Sequence, residues 1–456
     1  MLFGKNAIYP FCIAIYKRHT FEKKCEKSVK KATRRLMDKT KVWVSISTIL
    51  LCASAVHTNV HAQTKGQSNA QPHATNIVYI NMARPVPAGT PLYLARPNNE
   101  GIAGASIGIE DANITGRFLG YSLSLTHLSP LARRTNNNAV AESSIFDSAT
   151  TAAIAHAAVI LIDSPNTQYH LVTNAVVRIN PNALVFNVAS GNDAFRHMHC
   201  EFQVLHTYPS HQMKTDALGQ WLRTKRLSNV LTVHGVHESD QAYLNAFLRT
   251  AKKFKLNVVE TKTWQASFDL RRSAFSEIPL FTRTQKPYET VFAADTQGQF
   301  AYSLPFNTHY IVPVIGSAGL KPVGWHYTHE QWGARQLQNR FLAKFSRTMN
   351  EVDFAAYAAI IAVSTALQKT KNNRADIQSS LTGTPLFKTL VDEQLSIAAY
   401  KGRPLTFRES THQLRQPIAL AHEEGLVIHA PLPGFLHQID ELDTLGDTMK
   451  SCKDSS

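Results

Sequence analysis

Three short stretches of this chain carry residue types that could do chemistry. Gly104-Ala105-Ser106-Ile107-Gly108 matches G-x-S-x-G, the pattern that exposes a nucleophilic serine on a sharp strand-to-helix turn. Here a Pro/Asn-rich loop precedes it and the pattern runs on as one amphipathic helix. Its glycines therefore read as places where a helix sits close to a strand. His197-Met198-His199-Cys200 and His326-x-x-His329 have metal-like spacings. However, Gly333 stands where an H-E-x-x-H site needs its second histidine, and an i, i+3 pair lacks the i, i+4 match that puts two imidazoles on one helix face. With 20 His in the chain, close pairs arise by chance. The third stretch packs Trp325, His326, Tyr327, His329, Glu330 and Trp332 into eight residues of a chain with 5 Trp. It reads as a ligand-facing surface or as an aromatic joint between two lobes. No G-x-G-x-x-G follows the first expected strand, and no Walker A or C-x-x-C sequence occurs. That poverty of catalytic motif favours binding over catalysis, with no cofactor.

The elements that would hold such residues alternate. Strands are expected at 76–81, 121–126, 158–163, 184–188, 229–233, 257–263, 290–294 and 311–315. Helices are expected at 101–113, 148–157, 169–177, 213–225, 240–254 and 267–278, placed by apolar periodicity. Strands alternating with helices mean βαβ units and parallel sheets. The pause over 197–209 suggests two sheets rather than one. Helices at 331–346 and 352–369 follow; the second is apolar on most faces and short, so it reads as a buried core helix. Short strands are expected at 405–407, 417–421 and 426–430.

Compartment comes from the leader. Residues 1–62 hold 12 Lys/Arg against 3 Asp/Glu, and the rest hold 36 against 30. The formal charge of +15 thus sits mostly outside the body, and no clustered basic stripe marks a nucleic-acid footprint. Lys39 and Lys41, an apolar run over 42–56 and the small-residue site Val60-His61-Ala62 read as a signal peptide over 37–62. Met37 is then a candidate start, with 1–36 a mis-assigned extension. Cleavage would leave Cys200 and Cys452, a candidate disulfide. A cleaved leader of this kind implies export from the cytoplasm.

In open α/β sheets, ligands bind outside the carboxyl ends of the strands. Those loops are expected to include Asp163-Ser164-Pro165-Asn166, Ala189-Ser190-Gly191-Asn192-Asp193, His234-Gly235-Val236-His237-Glu238 and Asp295-Thr296-Gln297-Gly298. Each could equally be an ordinary polar turn or cap.

Residues 101–120, GIAGASIGIEDANITGRFLG, resemble the first helix and turn of branched-chain amino acid-binding proteins of the type I periplasmic-binding fold. EDANITGRFLG (110–120), HTYPSHQMKTDALGQWLRTKR (206–226), GWHYTHEQWGARQLQNRF (324–341) and GFLHQIDELDTLG (434–446) resemble, more narrowly, ABC-transporter substrate-binding proteins associated with PQQ-dependent alcohol dehydrogenase systems. The resemblance implies an α/β fold of two Rossmann-like lobes with parallel sheets joined by a hinge, and a small-molecule solute held in the cleft. It divides the chain into a linker (63–75), lobe 1 (76–205), lobe 2 (206–324), a return to lobe 1 (325–385), a hinge crossing with lobe 2 completion (386–440) and a C-terminal tail (441–456). It implies an inner-membrane ABC permease and ATPase as partners, no nucleic acid, and membrane contact only through the transporter. Asp163, Ser164, Ser190, Gly191, Asn192, His237 and Asp295 would line the cleft, with Trp325 and His326 as wall or hinge and Trp332 packed inward. A ligand sensor on the same fold and a secreted hydrolase using Ser106 are the other readings.

Overall fold

The computed structural model describes residues 73–84, 96–130, 145–198, 201–265, 277–371 and 382–446. The signal peptide expected over 37–62, Cys200 and Cys452 of the candidate disulfide, and nearly all of the helix expected at 267–278 lie outside them. The linker expected over 63–75 ends earlier than expected, because β1 already begins at His73.

Among the described residues the first sheet comprises β1 (His73–Asn81), β2 (Tyr121–Leu128), β3 (Val159–Asp163), β4 (Leu184–Asn187) and β5 (Val204–His206), in the order β2-β1-β3-β4-β5. Every pairing in it is parallel. Every residue of β3 and β4 is buried, as strands covered on both faces must be. Helices α1 (Ile102–Leu119), α2 (Ser148–Ala155) and α3 (Asn166–Ile179) connect them. The short strand β5 sits inside the pause expected over 197–209. It carries only Val-Leu-His, too little to show a period of two.

The second sheet repeats the winding. Strands β6 (Asn229–His234), β7 (Asn257–Thr263), β8 (Thr290–Ala294) and β9 (Val314–Gly316) pair in parallel in the order β7-β6-β8-β9. Helices α4 (His211–Lys225) and α5 (Glu238–Lys253) belong with it. Each sheet therefore has a switch point, between β1 and β3 and between β6 and β8, where the chain changes its direction of winding.

Past β9 come α6 (Ala334–Phe345), α7 (Glu351–Lys371) and α8 (Gly383–Val391). Helix α7 is buried beside α1 in the core of the first sheet, and no described helix is long and apolar enough to cross a membrane. At Gly104 and Gly108 the close approach of α1 is to this helix and not to a strand, whereas at Gly116 it is to Tyr121 of β2. A Cβ on Gly104 would lie 1.9 Å from the Asp353 carbonyl oxygen, and one on Gly108 would lie 2.9 Å from Ile360 Cβ. A small antiparallel sheet of β10 (Lys321–Val323), β11 (Ile418–His422) and β12 (Gly425–Ala430) packs on α4. Leu405 and Phe407, expected as a strand, make only isolated bridges to Ile397 and Leu414.

The chain passes between the two cores at residues 207–210, around Gly324, and at 415–417. Trp325, Leu405 and Leu414 pack with the first core, whereas Met213, Ile418 and Leu420 pack with the second. These crossings lie side by side. A Cβ on Gly324 would come 2.9 Å from Pro209 Cγ, and Gln416 Nε2 donates to the Thr207 carbonyl at 2.7 Å.

Candidate functional site: two strand-end edges and the hinge between them

On the first sheet, the residues singled out from sequence fall on the neighbouring loops after β3 and β4. Asp163 is wholly buried; its Oδ2 accepts from the Tyr79 hydroxyl at 2.9 Å and its Oδ1 from the Arg84 guanidinium. Burial and the Asp163 carboxylate push the Tyr79 phenol well above its ordinary value. The Ser164 hydroxyl donates to the Pro165 carbonyl at 3.2 Å, and that of Ser190 to Asn166 Oδ1 at 2.5 Å, tying the two loops together. Asn192 caps the turn Asp193–Arg196 by accepting from the Ala194 N–H at 3.1 Å. The Gly191 carbonyl accepts the His211 main-chain N–H at 2.7 Å.

On the second sheet, His237 and Asp295 lie on the loops after β6 and β8. Gln299 joins them: its side-chain amide reaches His237 Nε2 at 2.9 Å and its N–H donates to Asp295 Oδ1 at 2.9 Å. The other Asp295 oxygen accepts the N–H groups of Phe300 and Ala301, so this carboxylate shapes its own loop. Asp240, on the first turn of α5, accepts the N–H and hydroxyl of Thr296 at 2.7 and 2.6 Å and staples the same two loops.

Trp325 and His326 are not on these edges. The Trp325 indole is 3% exposed and stacked on Phe354 at 4.4 Å, inside the first core. His326 bonds Thr328 at 2.8 Å and faces His422 and Lys321 beside the small sheet; burial, more than those neighbours, lowers its affinity for a proton. Trp332, expected to pack inward, is 53% exposed, with its indole lying over Gly402. The left-handed conformation of Trp332 (φ 53°) turns its ring away from the α6 face that buries Leu337 and Phe341. Ser106 lies within α1, which begins at Ile102, and not at a strand-to-helix turn. Its hydroxyl meets only the partly exposed Lys344 ammonium, at 3.2 Å. Among the described residues no group of three or more His, Cys, Asp or Glu side chains could hold a metal ion.

What the sequence reading missed are the side chains that tie the hinge crossings together. Glu351, at the start of α7, accepts the Gly324 N–H at 3.0 Å, the Lys214 ammonium of α4 at 2.8 Å and the Tyr208 hydroxyl. One carboxylate thus binds two crossings and one helix from each core. Burial alone would raise its pKa, but Lys214, Tyr208 and Gly324 outweigh that and hold it below the usual carboxylate range. Gln413 Nε2 donates to the His206 and Tyr208 carbonyls at 3.0 and 3.2 Å while its Oε1 accepts from Arg196 at 2.9 Å. Away from the hinge, Asp193 of the first edge pairs with Arg249 of α5 at 2.5 Å.

Lys401 completes the hinge from below. Its ammonium donates to the Gly324 carbonyl and, at 3.5 Å, to that of Pro417, and lies 4.6 Å from the Phe354 ring centre. Burial lowers its pKa from 10.5 to about 7, against the attraction of Glu351. The unfolded chain keeps this proton up to about pH 10.5 while the folded chain releases it above about 7. Stability therefore rises with pH through that window, by up to about 1.4 kcal/mol per pH unit for one proton. Denaturant titrations of the wild type and Lys401→Met at pH 7 and 9 should show the wild type gaining on the variant; parallel pH dependences would contradict this.

No protein-family model matches this chain, and no curated protein matches it in sequence. Solved structures do match it in fold. A branched-chain amino acid ABC transporter periplasmic ligand-binding protein from Burkholderia xenovorans LB400 superposes with a TM-score of 0.58 at 13% identity, covering 78% of this chain and 95% of that one. A periplasmic binding protein from Burkholderia mallei gives 0.57 at 10% identity, over 83% and 98%. A solute-binding protein of an ABC transporter from R. palustris, in complex with benzoate, gives 0.54 at 13% identity, over 78% and 95%. The α/β architecture with parallel sheets is thus that of the type I periplasmic-binding fold.

Proposed function

We propose that the chain is a periplasmic solute-binding component of an ABC transporter, holding a small polar or amphipathic solute between the carboxyl edges of its two parallel sheets. The observation that carries this reading is the hinge. Two sheets wound alike are joined by adjacent crossings, stitched together by Glu351, Gln413 and Lys401. Such a joint lets two bodies close on a ligand without either core repacking. Asp163, Ser164, Ser190, Gly191 and Asn192 contribute the first edge, and His237 and Asp295 the second. Recognition by convergent hydrogen bonds needs no covalent step, so the protein acts as a receptor and not as an enzyme.

The leader supports a periplasmic location, and the fold supports an inner-membrane permease and ATPase as partners. A role beside quinoprotein alcohol oxidation rests on the four resembling stretches alone. A thermal-shift screen of amino acids, aromatic carboxylates, short alcohols, aldehydes and quinone-like compounds tests the receptor reading. A solute at a hundred times its Kd should stabilise the chain by about 2.7 kcal/mol. A flat response across all these classes would count against it.

A further inference from the structure

We propose that His329 and His429 form a site for a soft monovalent cation, Cu(I), roofed by the Trp332 indole. The site lies where the small sheet meets the first core, apart from both strand-end edges, so its test is independent of the receptor reading. His329 is 2% exposed, and its Nε2 meets the Tyr400 carbonyl at 3.0 Å. A carbonyl only accepts, so Nε2 carries the proton and the neutral ring keeps a lone pair on Nδ1. That Nδ1 is buried without a hydrogen-bond partner. Histidine ligands are built this way, with one nitrogen fixed by a carbonyl and the other turned to the metal. The His429 ring of β12 meets the His329 ring edge to face, with centres 4.8 Å apart. Trp332 lies 5.4 Å from His329 and 6.2 Å from His429. The partner of His329 is thus on another strand, while His326, its neighbour in sequence, is taken by Thr328.

The backbone is strained to assemble this group. Trp332 (φ 53°) and Tyr400 (φ 55°) are both left-handed, a conformation that bulky residues rarely adopt and that collects at ligand clamps. One places the indole, and the other places the carbonyl that fixes His329. Glycines make room for both rings. A Cβ on Gly402 would lie 2.2 Å from the Trp332 indole, and one on Gly333 would lie 3.1 Å from the Tyr400 ring. The chemistry then selects the ion. Two nitrogens fall short of the four ligands that Zn(II) takes, whereas Cu(I) is satisfied by two. An indole face attracts a cation within about 6 Å of its centre, while a water would need polar partners that aromatic walls do not supply. Burial holds both imidazoles below the ordinary histidine value, His429 down to about 3, which leaves their lone pairs open to a metal. Lys401 faces both rings and opposes a cation, but burial lowers its own value to about 7. Trp332 is 53% exposed and His429 partly so, and an ion reaches the pair from that side.

Titration of the full chain at pH 8, with its 5 Cys replaced by serine, tests this without interference from thiols. Ag(I), a redox-inert stand-in, and Cu(I) without oxygen are each set against a competing chelator. One ion should bind per chain and quench indole fluorescence, and X-ray absorption of the Cu(I) form should show two nitrogen neighbours. His429→Phe keeps the ring contacts and removes both nitrogens. It should weaken binding by about a hundredfold or more, beyond what loss of an outer-shell partner costs, without lowering the melting temperature of the ion-free chain. Trp332→Leu should weaken binding about tenfold and remove most of the quench. His326→Phe, outside the pair, should leave affinity unchanged. No binding of either ion, Zn(II) bound in preference, or full affinity in His429→Phe would overturn the inference.

Discussion

Replacing Glu351 with alanine is expected to cost about 3 kcal/mol of stability or more, because it removes one partner of a buried, hydrogen-bonded ion pair. The side chains of Lys214 and Glu351 are only 9% and 19% exposed, and the bond between them is 2.8 Å. With the carboxylate gone, the Lys214 ammonium keeps only the Tyr208 hydroxyl at 3.0 Å, and the Gly324 N–H loses its acceptor. Glu351→Gln should fall between, since an amide oxygen still accepts the Gly324 N–H but no longer balances the charge. The measurement is a urea titration of the three proteins. A loss below about 1 kcal/mol for Glu351→Ala would show that the crossings do not depend on this carboxylate.

Gly104→Val is the second large effect. The three atoms nearest its missing Cβ are the carbonyl oxygen, carbonyl carbon and Cα of Asp353, at 1.9, 2.5 and 2.7 Å, all of them main chain. No rotamer change relieves such a contact, so α1 and α7 must separate. The separation would also pull the Asp353 carboxylate from the Gly101 N–H, 2.7 Å away, and the Arg347 guanidinium from Asn99. Overpacking a core costs about 1–3 kcal/mol even where side chains can yield, so a loss of about 3 kcal/mol or more is expected here. Ser106→Ala, two residues along the same helix, should stay within about 0.5 kcal/mol, because its hydroxyl meets only a partly exposed lysine. The contrast between these two variants separates a helix-crossing motif from a nucleophile site.

Much of the architecture was legible in the sequence for a physical reason. Parallel strands covered on both faces read as unbroken apolar runs, so Val159–Asp163, Leu184–Asn187 and Thr290–Ala294 declared themselves. The loops at their carboxyl ends followed from the same reading. A hinge was expected, but the bonds that stitch it could not be read in this way, because they join residues far apart in the chain: Lys214 to Glu351 across 137 positions, Lys401 to Gly324 across 77. Nothing local to Glu351 distinguishes it from an ordinary first-turn acid. The aromatic stretch from Trp325 to Trp332 shows the opposite limit. Its composition drew attention, yet composition says nothing of direction. The structure sends Trp325 into the core and leaves Trp332 exposed.

If this chain carries a small solute between two bodies, that solute should leave it on unfolding. The full chain, exported and purified without denaturant, is unfolded in acidified solvent and the released small molecules are identified by mass spectrometry. One compound should be released near one equivalent per chain, and it should raise the melting temperature when returned to solute-free protein. No compound above the background of an unrelated exported protein, together with no thermal shift from any solute class, would contradict it.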